Sequence, residues 1–160
     1  MASSTKQGLK KQVMLAAREY GIGSVLFRRA VGEILGVNAT DMECLGVLFF
    51  KGVATPSELA TNTGLSSGAT TAMLDRLERG GLIERRPNPE DRRSTLIVLA
   101  NNETTAKASA LFAPLREAQD RILSGYSEAE LNLLADYFRR TSNLWQEERQ
   151  KLQARFTEKV

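Results

Sequence analysis

Apolar positions recur through much of this chain at spacings of three, four and seven, which predicts a series of amphipathic helices. Leu9, Val13, Ala16, Tyr20, Phe27, Val31 and Ile34 mark one stripe on a long first helix. Gly21 and Gly23 interrupt that stripe, and either kink the helix or let another chain approach closely. Thr40-Asp41-Met42-Glu43 reads as a capping box for an almost wholly apolar helix through Cys44, Leu45, Val47, Leu48, Phe49 and Phe50, the expected buried centre. Two shorter helices follow. The first has Thr55 as N-cap, Pro56 at N1 and Glu58 at N3 of a capping box, and ends at Gly64; the second is capped by Ser66, runs to about Arg79 and stops at Gly80-Gly81. On the second, the pattern predicts Ala69, Met73 and Leu77 toward the core, with Ser67, Gly68, Thr70, Thr71 and Arg76 on the opposite side.

Strand-like sequence then replaces helical periodicity. Leu82–Arg86 and Ser94–Leu99 are apolar or β-branched enough to pair as strands, joined by Pro87-Asn88-Pro89-Glu90-Asp91-Arg92-Arg93. Two short helices crossing steeply, followed by an arginine-bearing hairpin, outline a winged helix-turn-helix. Beyond it, Asn101 or Asn102 caps a helix containing Ala106, Ala110, Leu111, Leu115, Ala118 and Ile122, which Pro114 should bend or break and Gly125 ends. Ser127-Glu128-Ala129-Glu130 caps a long final helix. There Leu131, Phe138, Trp145 and Leu152 sit seven apart, beside Leu134 and Phe156, a seam suited to another long helix from the same chain or from a second copy. The expected fold is mainly α with a small β-wing. It is one domain over 1–160, with a winged helix-turn-helix lobe at 38–100 flanked by dimerisation helices at 6–36 and 102–156.

Composition narrows the chemistry. The 160 residues, 42% hydrophobic and 26% charged, suit a single α-rich domain with a modest formal charge of +3. The excess is concentrated near the start, where Lys6, Lys10, Lys11, Arg18, Arg28 and Arg29 face only Glu19, and either solvate a helix or meet DNA. No apolar run approaches the ~20 residues of a membrane span, and the start lacks the charged-then-apolar order of a secretion signal. A cytoplasmic chain without a membrane partner is expected. A single cysteine excludes an internal disulfide, and the absence of histidine removes the commonest metal ligand and general base. Ser-His-Asp and Cys-His catalysis within one chain are therefore excluded, and no metal or other cofactor is expected. Glu43, Glu58, Asp75 and Glu84 are the available acids, but no phosphate loop, nucleophile elbow or metal spacing accompanies them. The expectation is that the chain is not an enzyme.

The small, polar N-terminal end of the second short helix suits entry into a DNA major groove, where hydroxyls can bond base edges or phosphates. Ser66, Ser67, Thr70, Thr71 and Arg76 are the expected groove and flanking contacts, Thr55 and Ser57 the backbone contacts, and Arg85, Arg92 and Arg93 the wing contacts. Arg76 could instead pair with Asp75, Glu78 or Glu84. Arginine on a narrow loop suits the negative potential of a minor groove.

The block LSSGATTAMLDRLERGGLIERRPNPEDRRSTLIVL resembles the DNA-binding core of the MarR family of bacterial and archaeal transcriptional regulators, strongly over residues 38–99. The D-x-R of that family's wing stands here as Asp91-Arg92-Arg93, and the resemblance implies that Arg93 enters the minor groove while Asp91 holds its guanidinium. It also implies a homodimer that represses by covering a pseudopalindromic double-stranded DNA operator. A small apolar or aromatic effector would enter between the dimerisation helices and the DNA-binding lobe. Leu131, Phe138, Trp145, Leu152 and Phe156 are the expected dimer contacts, and Tyr20, Phe27, Met42 and Phe112 are candidate pocket residues that also read as plain core. Where many members carry an arginine after the recognition-helix threonine, this chain has Ala72, which removes one frequent DNA contact. Some relatives sense peroxide through cysteine, whereas an apolar helix around Cys44 argues for an inert, packed thiol. The alternative function is a winged-helix protein-interaction module without specific DNA binding, against which Asp91 and Arg93 speak.

Overall fold

The computed structural model describes residues 5–91 and 93–157, excluding the side chains of Phe156 and Thr157. In chain order the elements are α1 (Lys6–Leu35), α2 (Ala39–Lys51), β1 (Val53–Ala54), α3 (Pro56–Thr63), α4 (Ser67–Arg79), β2 (Ile83–Pro87), β3 (Thr95–Leu99), α5 (Glu103–Leu123) and α6 (Glu128–Thr157). The fold is thus mainly helical with a small β-wing, as the sequence pattern predicts, and its antiparallel sheet has the strand order β1-β3-β2. β2 and β3 pair from Ile83 with Leu99 to Pro87 with Thr95, and β1 adds Val53 opposite Val98 and Ala54 opposite Ile97. The two-residue β1 is too short to leave a period in the sequence, and the expected elements omit it.

Local capping explains most helix starts. The boundaries of α3 and α4 match the sequence reading, with Thr55 and Ser66 as N-caps and Gly64 in the left-handed region at φ 75°. α2 differs. Its cap is Asn38, whose Oδ1 accepts from Asp41 N at 2.9 Å, so the helix begins before Thr40 and the expected Thr40 capping box does not form. Asn102 caps α5 by accepting from Thr105 N at 3.0 Å, and α5 runs through Pro114 without a break. α1 likewise runs through Gly21 and Gly23. The Ser127–Glu130 capping box opens α6, with Ser127 N donating to Glu130 Oε2 at 2.8 Å and Glu130 N donating to Ser127 Oγ at 3.4 Å.

The chain divides into two compact units, with the boundary between Phe112 and Ala113 inside α5. The core of the first unit centres on Cys44, Leu45 and Leu48 of α2. Around them pack Leu59 of α3, Met73, Leu74 and Leu77 of α4, Ile83 of β2 and Ile97 of β3, all essentially excluded from solvent. Burying each such aliphatic side chain contributes about 1.5–3 kcal/mol, which outweighs the weak helix propensity of Ser67-Gly68 at the start of α4. Phe50, expected in this centre, is instead 92% exposed at the end of α2. On α4 the buried stripe is Thr70, Met73, Leu74 and Leu77, while Ala69 faces outward, so the helix is turned relative to the predicted face. Turning Leu74 inward in place of Ala69 buries more apolar area, and Thr70 follows it.

In the second unit, α6 half-buries Leu131, Leu134 and Tyr137 and exposes Phe138, Trp145 and Leu152. In the first unit, Leu9, Val13 and Tyr20 of the expected α1 stripe are about half exposed and Ile34 more so; Val31 is the fully buried member.

Candidate nucleic-acid interface

The stretch from Lys51 to Ser66 is built by short-range hydrogen bonds. Thr55 Oγ1 accepts from Glu58 N at 3.2 Å, and Thr55 N donates to Glu58 Oε2 at 2.8 Å. Lys51 Nζ donates to Glu58 Oε1 at 2.9 Å. The lysine bond first, and the Thr55 N–H second, hold the Glu58 carboxyl down at about 2. The Thr55 hydroxyl also donates to Glu58 Oε2, so its one donor proton is used within the cap. Ser57, the other expected backbone contact, is exposed.

After Gly64, Ser66 Oγ accepts from Ala69 N at 3.4 Å and starts α4. Ser66, Ser67, Gly68, Ala69, Thr71 and Ala72 are exposed, and the first turn of α4 carries no acid. A Cβ on Gly68 would meet nothing within 4 Å, so the fold itself does not require a small residue there. Thr71 Oγ1 donates to Ser67 O at 3.1 Å, and the residue stays exposed. Thr70, expected beside it on the polar face, is only 2% exposed and donates to Ser66 O at 2.9 Å, which places it on the core side.

Arg76 is placed differently from the sequence reading. Its partner is none of Asp75, Glu78 or Glu84 but Asp41 on α2, 35 residues away, with Nε to Oδ2 at 2.8 Å and Nη2 to Oδ1 at 2.5 Å. The Asp41 side chain is 2% exposed, whereas Arg76 is nearly half exposed. Arg85 also turns away from the wing tip. It donates to Asp75 Oδ1 at 2.6 Å and to Glu78 Oε2, tying β2 to α4. Helix α4 is therefore braced by an arginine that it extends to α2 and by one that it receives from β2. The sequence reading missed Asp41, Asp75 and Glu78 in these roles. The available signal was an acid between the buried positions of the most apolar helix, where an unpaired carboxylate is costly.

The wing is closed by Asn88 N donating to Ser94 O at 3.2 Å and Ser94 N donating to Asp91 O at 2.9 Å. Asp91 Oδ1 accepts from Arg93 N at 3.0 Å. Asp91 thus pins the backbone of Arg93 rather than its guanidinium, which has no acid within ion-pair distance among the described residues. Arg92 lies outside the described residues. At the wing base, Asn102 Nδ2 donates to Gly81 O at 2.8 Å, where Gly81 sits at φ 67°. Arg86 pairs with Glu84 at 3.0 Å and holds that carboxyl below its ordinary range.

The four candidate pocket residues occupy different surroundings. Phe27 and Phe49 each lie 5.5 Å from Phe112, centroid to centroid, in an aromatic cluster at the edge of the core. Met42 is buried and lines a cavity of about 340 Å³ with Val25, Arg28, Gly32, Glu33 and Val37. Tyr20 is exposed on α1. Cys44 is fully buried, and burial first, then the nearby Asp41 charge, pushes its thiol up to about 12. Of the expected dimer contacts, Leu131 is half-buried, Phe138, Trp145 and Leu152 are exposed, and the Phe156 side chain lies outside the described residues. Among the described residues, no cluster of three or more potential ligands could hold a metal ion, and no helix is long and apolar enough to cross a membrane.

The sequence model of the MarR family matches residues 37–95, from just before α2 to the start of β3. The uncharacterized HTH-type transcriptional regulator YcgE of Bacillus subtilis is 34% identical over 150 residues, covering 93% of this chain and 96% of that protein. The chain belongs to the MarR family. The MarR-family fold recurs in the transcriptional regulator Tm0710 of Thermotoga maritima, with a TM-score of 0.59 at 22% identity over 86% of this chain and 96% of that one. It recurs also in reduced AbfR bound to DNA, with a TM-score of 0.52 at 21% identity over 89% of this chain and 99% of that one. At these identities the solved structures establish the fold. Within this MarR-family regulator, α3 and α4 form the helix-turn-helix of the fold and the β2–β3 hairpin its wing. Its relatives are transcription regulators, not enzymes.

Proposed function

We propose that this regulator acts in the cytoplasm as a homodimer that represses by covering a pseudopalindromic operator, and that a small apolar or aromatic effector weakens its grip. The observation that carries the reading is the exposed, acid-free first turn of a doubly braced α4, beside a wing whose Arg93 is exposed on a pinned backbone. A helix N-terminus of this kind attracts phosphate through its orphan N–H groups and dipole. In this reading Ser66, Ser67 and Thr71 meet the major groove, Ser57 meets the backbone, and Arg92 and Arg93 serve the minor groove. Ala72 leaves that position without a long cationic contact, so hydroxyls and thymine methyl contacts carry more of the discrimination.

The exposed Phe138, Trp145 and Leu152 of α6 and the half-exposed Leu9 and Val13 of α1 support dimerisation, because apolar area of this kind is stabilised by burial against a second copy. Two-fold-related recognition helices read half-sites about one helical turn apart. The Phe27–Phe49–Phe112 cluster supplies aromatic surface near which an effector can act, provided that it binds the DNA-competent and incompetent arrangements with different affinity.

The test is a salt-dependent titration of the purified chain against duplexes from its own upstream region and a scrambled duplex of equal length, with light scattering of the free protein. Sequence preference at two chains per duplex is the expected result. Equal weak binding to every duplex, or a stable monomer at micromolar concentration, overturns it.

A further inference from the structure

We infer that Asp41 is a positioning residue for DNA recognition: from α2, its buried carboxylate sets the tilt of α4 through Arg76 without touching DNA. The inference rests on the reading of α4 as the groove-facing helix. Asp41 is 1% exposed and adjoins Met42 and Cys44, which are 2% and 0% exposed, in the most apolar helix of the chain. A carboxylate there has lost most of its water and needs fixed donors in its place. Both of its oxygens are taken by one arginine fork, at 2.8 and 2.5 Å. A bidentate guanidinium–carboxylate pair constrains plane as well as distance, which apolar contacts do not. The origin of the carboxylate is itself fixed, since Asp41 N donates to the Asn38 cap at 2.9 Å.

The geometry makes that constraint matter at the far end of α4. Arg76 lies nine positions beyond Ser67, roughly 13 Å along the helix axis at 1.5 Å per residue. A swing of about 10° at the anchor displaces the first turn by roughly 2 Å, enough to break hydrogen bonds to base edges or phosphates. Met73, Leu74 and Leu77 hold α4 onto the core, but their burial is non-directional and tolerates such a swing better than the ion pair does. Arg85 reaches Asp75 and Glu78 from β2, so the helix is restrained on a second side, and loss of Asp41 releases one of two braces rather than the whole helix.

The experiment uses the full chain and the duplex that the wild type prefers, with a scrambled duplex alongside. It compares Asp41→Asn, Arg76→Gln, Arg76→Lys and the double variant Asp41→Asn/Arg76→Gln, at a temperature where circular dichroism shows each fully folded. Each single variant should lose roughly tenfold or more in affinity for the preferred duplex, with scrambled-duplex affinity and salt slope unchanged, and the double variant should be no weaker than Arg76→Gln alone. Arg76→Lys keeps the charge and loses the fork, so it reports on the brace even if Asp41→Asn fails to fold. Wild-type affinity in folded Asp41→Asn or Arg76→Lys, with only thermal stability lowered, overturns the inference. So does a loss in Arg76→Gln that is equal on both duplexes and lowers the salt slope by about one, the mark of a direct phosphate contact. A wild type without preference for any upstream duplex removes the underlying reading, and the inference with it.

Discussion

Arg85 on β2 donates to Asp75 on α4 at 2.6 Å and to Glu78 one turn further, so the base of the wing is fastened to that helix by the protein's own side chains. The three side chains are 30–52% exposed, and exposed ion pairs of this kind contribute only about 0–1 kcal/mol to folding. Arg85→Ala is therefore expected to leave the thermal midpoint within a few degrees of wild type while weakening operator binding, because wing and helix no longer move as one unit. Calorimetry beside a binding isotherm checks the two halves separately.

Thr70 and Thr71 are adjacent in sequence and opposite in role. Thr70 is buried with its hydroxyl donating to Ser66 O, so Thr70→Val should cost about 0.5–1.5 kcal/mol of stability and leave operator affinity nearly unchanged in the folded protein. Thr71 is exposed, and Thr71→Ala should lower operator affinity with little change in unfolding. Urea denaturation and duplex titration of both variants would show the reverse pattern if the sequence-predicted face of α4 were the correct one.

Arg93 stands on a backbone held by the Asp91 carboxylate. Arg93→Ala is expected to weaken operator binding by about 1–3 kcal/mol with the fold intact. Asp91→Ala should have a similar effect for a different reason, since it releases the turn that aims Arg93. An unchanged dissociation constant for Arg93→Ala would show that the wing stays outside the groove.

Glu58 gives the DNA-binding lobe an acid-sensitive joint. Its carboxyl is held at about 2 against an ordinary 4.5, so the folded chain binds this proton more weakly than the unfolded chain does. The contribution of this group is complete above about 4.5 and is lost as pH falls through 4.5 toward 2. Glu58→Gln removes it. The difference in urea midpoint between wild type and Glu58→Gln should be largest near neutral pH and shrink toward pH 2. A difference that stays constant over that range would mean that the charge on Glu58 does not stabilise the cap.

Much of this architecture was legible because helix starts are local events. Thr55 with Glu58, Ser66 with Ala69, and Ser127 with Glu130 all bond within three residues, so the residues that form each cap adjoin one another in the chain. The hairpin strands could be read for a similar reason, since prolines and small polar residues mark the turn between two apolar runs. The outline of helix, turn, helix and wing, and the exposed Ser67 and Thr71, follow from such short-range rules.

Tertiary structure decided the rest. Asp41 lies inside a buried helix, where its carboxylate has no partner on α2 itself. The partner it found is 35 residues away, a distance over which no spacing rule operates. The azimuth of α4 was set by which side chains fill the core, and Leu74 outweighs Ala69 by the apolar area it removes from water, so Thr70 turned inward and Thr71 outward. Sequence by itself determined which segments are helices, where most of them begin and which short polar turn stays exposed at the start of α4. Only the packed chain decided how that turn is aimed, because aim depends on buried pairs formed between elements and not within them.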